Sequence, residues 1–207
     1  SLDLRAANLP DHDGLLADAI SRSNVATGFI LNNGRQQKPP KPKRGFSIAG
    51  DDPINFLPQF TGAVINLPEI AEAATGNGSL NATIERDGMV RRLPLLFAIE
   101  EQMYPSLALE SLRLAQQSEF TYVVKSAGAS GESALGAHTG ISQVRVGNIV
   151  IPTDAEGHLW LHYTLPSAQR SVSAWQILED DFPRDELEGF IVLVGTSAEG
   201  LKNSWAT

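Results

Sequence analysis

The spacing of apolar residues changes several times along the chain, and each change marks an expected element. Asp11 and Asp13 precede Leu15, Leu16, Ala19 and Ile20, which fall on one face of a helix over 13–22 with carboxylates at its positive end. Residues 25–31 are apolar and β-branched and close on Asn32, Asn33 and Gly34, as a buried strand ending in a turn does. The three prolines at 39, 40 and 42, set among Arg35, Lys38, Lys41, Lys43 and Arg44, predict an exposed extended loop over 35–44. Residues 62–66 read as a second short strand. The segment 68–82, with Gly76, Asn77, Gly78 and Ser79, reads as a surface excursion.

Two strands around Asp87-Gly88 are expected over 82–99, because Asp-Gly readily takes the positive φ angles of hairpin turns. Pro105 then opens a helix whose polar stripe is Ser106, Glu110, Arg113 and Gln117, leaving Leu107, Ala108, Leu112, Leu114 and Ala115 for burial. A strand follows at 120–125, then a Gly- and Ser-rich loop over 126–139. Val144, Val146, Ile149 and Ile151 flank Gly147-Asn148 and predict a second hairpin, with a further strand at 158–163 and a short helix capped by Ser173. The continuous apolar run 190–194 is expected to be a strand covered on both faces, beside 25–31 and 62–66. The whole is an α/β fold: a mixed β-sheet flanked by helices, with β-hairpin excursions, in one domain over 1–207.

Composition narrows the functions. Hydrophobic residues make up 42% and charged residues 19% of the 207, a globular profile with a sizeable core. The net charge of −8 repels phosphate backbones, so nucleic acid is not expected as a partner. Without Cys there is no disulfide and no thiolate chemistry. The longest apolar runs, such as 190–194, fall far short of the roughly 20 residues that span a bilayer. The start Ser1-Leu2-Asp3 has neither a basic region nor an apolar core, so any export signal is expected outside this chain.

Catalytic motifs fail on spacing. In Gly195-Thr196-Ser197-Ala198-Glu199-Gly200 the second Gly is one residue too late for a nucleophile elbow, and Leu201 stands where a phosphate-binding loop needs Lys. His158 and His162, four apart on a strand, would lie roughly 13 Å apart and cannot share a metal locally. No metal, no cofactor and no catalytic residue is assigned. Arg91 and Arg92 are expected in cross-strand ion pairs, with the gripping of an anion as the sharper alternative. Any small-molecule site is placed at the turn 195–200, where Thr196 and Ser197 offer hydroxyls, joined by Asp154 and Arg91 from the two hairpins. A turn that merely delivers the chain onward is the competing explanation.

Read in order, several segments resemble the CHASE type-two extracellular sensor domain of bacterial transmembrane adenylate cyclases, histidine kinases and serine/threonine kinases. They are Gly62-Ala63-Val64-Ile65-Asn66, Asp87-Gly88-Met89-Val90-Arg91-Arg92-Leu93-Pro94-Leu95, Tyr104-Pro105-Ser106-Leu107-Ala108-Leu109, Ile151-Pro152-Thr153-Asp154, Ser173-Ala174-Trp175-Gln176-Ile177-Leu178 and the stretch from Leu187 through Gly195-Thr196-Ser197-Ala198. The chain departs from the family pattern after Tyr163, where Thr164 and Leu165 replace a basic residue and a Gly, and at Phe190, where Lys is usual. The resemblance spans about residues 11–207, without the family's N-terminal strand–helix–strand part. It implies a non-catalytic sensory module on the periplasmic or extracellular face of the bacterial inner membrane, signalling through a two-component or cyclase output domain. Membrane helices beyond this chain, a receptor homodimer, and a small molecule or periplasmic partner as the signal are likewise implied. The alternatives are an extracytoplasmic hydrolase using Asp87 or Asp154, and a structural dimerisation domain.

Overall fold

The structure is a computed structural model that describes residues 10–34, 37–116, 121–126, 140–165, 167, 170–179 and 182–196. Its elements in chain order begin with α1 (His12–Ser21), β1 (Ala26–Asn32), β2 (Phe46–Ala49), β3 (Gln59–Phe60), β4 (Gly62–Val64), α2 (Pro68–Ala73) and β5 (Gly76–Ser79). There follow β6 (Arg92–Pro94), β7 (Leu96–Ile99), β8 (Gln102–Pro105), α3 (Leu107–Ala115), β9 (Tyr122–Ser126), β10 (Ile141–Val146), β11 (Ile149–Pro152), β12 (His158–Trp160) and α4 (Ala174–Ile177). The fold is α/β with mixed sheets, as the sequence pattern implies.

β1 is central to its sheet. It pairs antiparallel with β4, Leu31 opposite Ala63, and parallel with β5, Gly28 opposite Gly78. The expected surface excursion at 68–82 is thus instead a short helix and a strand whose four residues are all buried. The polar side chain there is satisfied internally: Thr27 Oγ1 donates to Asn77 Oδ1 at 2.6 Å, and Asn77 Nδ2 donates to the Ala71 carbonyl at 3.1 Å.

Because β4 and β5 occupy both edges of β1, no place beside it remains for 190–194. That run forms no strand and is exposed, from 49% at Val192 to 95% at Val194, which corrects the expectation of a strand buried on both faces. The element that meets that description is β7. Its alternate residues enter two cores, Leu96 and Ala98 with Leu109, Tyr122 and Val144, and Phe97 and Ile99 with Phe29, Leu31 and Tyr104.

α3 also differs from expectation. Pro105 ends β8, and Ser106 is the N-cap, its hydroxyl accepting from the Leu109 N–H at 3.2 Å. The buried face is Leu109, Glu110, Arg113 and Leu114, whereas Ala108 and Ala115 are exposed. Glu110 and Arg113 enter the interior because each neutralises the other.

The second hairpin forms as expected, β10 and β11 pairing around Gly147-Asn148. β9 pairs with β10 and, in parallel, with β2, completing a four-stranded sheet ordered β11-β10-β9-β2. The basic loop folds back onto the body: Pro39 is buried, Lys38 pairs with Glu100 at 3.0 Å, and Lys43 Nζ donates to the Glu72 carbonyl.

Candidate functional site

The Asp87-Gly88 hairpin lies beside the turn that leads from β11 into β12. At its bend Gly88 has φ +83 and its N–H donates to the Glu85 carbonyl; Thr83 bridges antiparallel to Arg92 beyond it. The other turn spans 154–157, Asp154 Oδ1 accepting from the Glu156 and His158 N–H groups at 3.1 and 2.9 Å. β6 and β12 join them, Leu93 opposite Leu159, and the ladder is extended by Leu161 N–H to the Arg91 carbonyl and Tyr163 Oη to the Val90 carbonyl.

A chain of charges crosses this junction. Arg91 donates to Asp87 Oδ2 at 2.7 Å and to Glu85 Oε2 at 2.9 Å; Arg92 reaches Glu85 Oε1 and Asp154 Oδ2, both at 3.3 Å. Arg92 also lies 5.5 Å from the Trp160 ring. The bond from Arg91, helped by the Met89 N–H, holds the Asp87 carboxyl below its ordinary range. Burial alone would raise Asp154, but the His158 N–H and imidazole and the Glu156 N–H outweigh it and keep that carboxyl low as well.

Sequence reasoning named Arg91 and Asp154, and the structure links them through Glu85 and Arg92. Thr196 is exposed outside regular structure, and among the described residues no hydrogen bond or ion pair joins it to either one. Ser197 lies outside the described residues. Glu85 and Thr83 escaped attention, since nothing in a lone acid or hydroxyl marks it; only the pairing register brings them in.

His158 is buried, with Nδ1 at 3.2 Å from Asp154 Oδ1 and Nε2 at 3.3 Å from Thr83 Oγ1. The order hydroxyl, imidazole, carboxylate is that of a nucleophilic triad. Here, however, the carboxylate is already shared with Arg92 and two backbone N–H groups, and the imidazole is only 3% exposed, leaving little room for a substrate over it.

A third cluster is entirely internal. Glu110 accepts from Arg113 Nε at 2.9 Å and Nη2 at 2.8 Å and from the Tyr122 hydroxyl, and Arg113 Nη2 also reaches the Thr75 carbonyl. Burial, then the neighbouring Glu110 charge, pushes the Tyr122 phenol far above its ordinary value. These groups tie α3 to β9 and to the start of β5.

Among the described residues no three His, Asp or Glu side chains are placed to hold a metal, and no helix is long and apolar enough to cross a membrane. No curated protein and no solved structure matches the chain. The family model of the CHASE2 domain matches residues 1–207, so the chain belongs to the CHASE2 family, extracellular sensory domains of membrane receptors.

Proposed function

We propose that this chain is the sensory module of a bacterial transmembrane signalling receptor and performs no catalysis itself. Membership of the CHASE2 family over the whole chain carries the reading. On it, residues 1–207 form one domain on the periplasmic or extracellular face of the inner membrane, anchored by helices outside this chain and working as a homodimer. The signal is a small molecule or a periplasmic partner, and the output is a cytoplasmic cyclase, histidine kinase or serine/threonine kinase. A signal needs a ligand that binds the two receptor states with different free energies. The salt-bridged junction of the Asp87-Gly88 hairpin with the 154–157 turn suits such a role, because Arg91, Arg92 and Asp154 exchange partners at little cost where they are partly solvated. Arg91, Asp154, Thr196 and Ser197 are the proposed ligand contacts.

The hydrogen-bond chain Thr83–His158–Asp154 favours a second reading, a hydrolase. One set of experiments separates the two. The chain is placed in a hybrid receptor with a reporter kinase, and metabolite mixtures are screened for a change in output and for a thermal shift. A response weakened by Thr196→Val with Ser197→Ala supports the sensor and its site. Ester, phosphate or glycoside turnover abolished by Thr83→Val and Asp154→Ala would establish the hydrolase instead.

A further inference from the structure

We propose that the outer face of the β11-β10-β9-β2 sheet holds a small-anion site, in which Arg145, with Lys125 beside it, grips a carboxylate or phosphate group. The inference deepens the sensory reading and rests on it only for what the bound anion would do.

Strand register assembles the site. Arg145 stands opposite Val123 on β9 and Val150 on β11, and Gln143 stands opposite Lys125. Paired residues share a face, so Arg145 and Lys125 are diagonal neighbours, about 7–8 Å apart along the sheet. The other face carries Tyr122, Val124, Val144 and Val146 into the core. None of the four strands contains Asp or Glu. Among the described residues neither cation has an ion-pair partner, unlike the hairpin arginines. On a chain of net charge −8 this is, among the described residues, an uncompensated positive spot, and it attracts the anions that the acidic remainder repels.

A cleft of about 220 Å³ opens beside Arg145, lined by Thr121, Val123, Arg145, Gly147 and Asn148, with Lys125 on the far side of the Arg145–Val123 pair. It is smaller than the roughly 300 Å³ at which drug-sized sites begin, so it suits a small molecule. Its wall is fixed from behind: Gln116, just after α3, accepts from the Asn148 N–H at 3.2 Å and donates to the Val146 and Leu112 carbonyls, each at 3.2 Å. Among the described residues the Thr121 hydroxyl has only a 3.5 Å contact to Ser47 Oγ, which leaves it able to turn toward a ligand. A planar guanidinium fork matches two oxygens of a carboxylate or phosphate, and Val123 offers an apolar floor. Arg145 is exposed, so solvent and salt weaken the contact.

The test titrates the isolated chain with succinate and, separately, with inorganic phosphate at low ionic strength, followed by proton–nitrogen correlation spectra. Saturable shifts are expected at the Val123, Arg145 and Asn148 amides with Kd about 1 mM, weakened about tenfold in Arg145→Gln and about threefold in Lys125→Gln. Saturation by succinate alone assigns a carboxylate, by phosphate alone a phosphate, and by both a general anion site. Should Arg145→Gln lower the melting temperature, Arg145→Lys keeps the charge without the fork and is expected to lose part of the affinity. Shifts that never saturate, or that persist unchanged in the folded Arg145 variants, overturn the proposal. Such a failure removes this site and leaves the sensory reading standing, whereas a hybrid receptor deaf to every metabolite mixture would do the reverse.

Discussion

Among the described residues Glu110 is the most deeply buried acid, 1% exposed beside an arginine that is 3% exposed. Taking either charge out of water alone costs several kcal/mol, and the pair is tolerated because each satisfies the other with two parallel hydrogen bonds. Removing one charge leaves the partner buried and uncompensated. Glu110→Gln is therefore expected to lower unfolding free energy by about 3 kcal/mol in urea titrations, and Glu110→Gln with Arg113→Met by less than the sum of the two single changes. An additive double variant would show that the two residues act independently. Asp154 makes a different kind of prediction. Its folded pKa is depressed while the unfolded carboxyl titrates near about 3.9, so the stabilisation is complete above that value and is lost as pH falls through the lower folded one. Melting temperature should fall as pH drops below about 4, and Asp154→Asn should flatten that slope while lowering the plateau at neutral pH. A slope unaffected by the substitution would assign acid sensitivity to other carboxylates.

At the scale of elements, β5 shows what residue patterns conceal. Gly76-Asn77-Gly78-Ser79 has the composition of a turn, yet it is a buried strand because small residues are what the space beneath α3 admits. A Cβ built on Gly78 would stand 2.5 Å from Leu107 Cα and 2.6 Å from its nitrogen, both backbone atoms that cannot swing away. Gly78→Ala is thus expected to destabilise by about 3 kcal/mol, the upper range for overpacking, while Gly195→Ala, which meets nothing within 4 Å, should stay within about 0.5 kcal/mol. Equal effects in denaturant titrations would mean that α3 does not lie so close to β5. The hairpins, by contrast, were legible, since Asp87-Gly88 and Gly147-Asn148 carry turn chemistry in their local sequence. α3 was legible as a helix and illegible in its facing, because an acid and a base three residues apart read as a solvated stripe unless their mutual pairing is known. The same limit applies to the ionic junction: Arg91, Arg92 and Asp154 stand out in the sequence, but Glu85, which joins the two arginines, is selected by cross-strand register.

At the scale of the molecule, two five-residue apolar runs of similar composition meet opposite fates. The run 95–99 is buried throughout and divides the two cores, while 190–194 lies uncovered at the far end of the described chain. Periodicity treats them alike; what separates them is whether an edge of a sheet is vacant, and β1 has none. Phe190 is 74% exposed, Leu193 80% and Val194 95%, and Trp175 and Leu178 of the preceding segment are exposed as well. An extended apolar segment whose backbone groups at 191–194 have no partner among the described residues is the kind of surface on which chains associate. The net charge of −8 opposes contact between copies, and salt screens that repulsion while leaving the apolar attraction intact. Sedimentation equilibrium should therefore reveal self-association that rises with protein concentration and with salt. Ile191→Lys with Leu193→Lys should suppress it while changing unfolding free energy by no more than about 0.5 kcal/mol, as expected of exposed positions. A large loss of stability in that double variant would show that the run is covered within the folded monomer, and undiminished association would move the contact to another surface. Agreement on both measurements would leave 190–194 as the first surface to examine for the homodimer that the sensory reading requires.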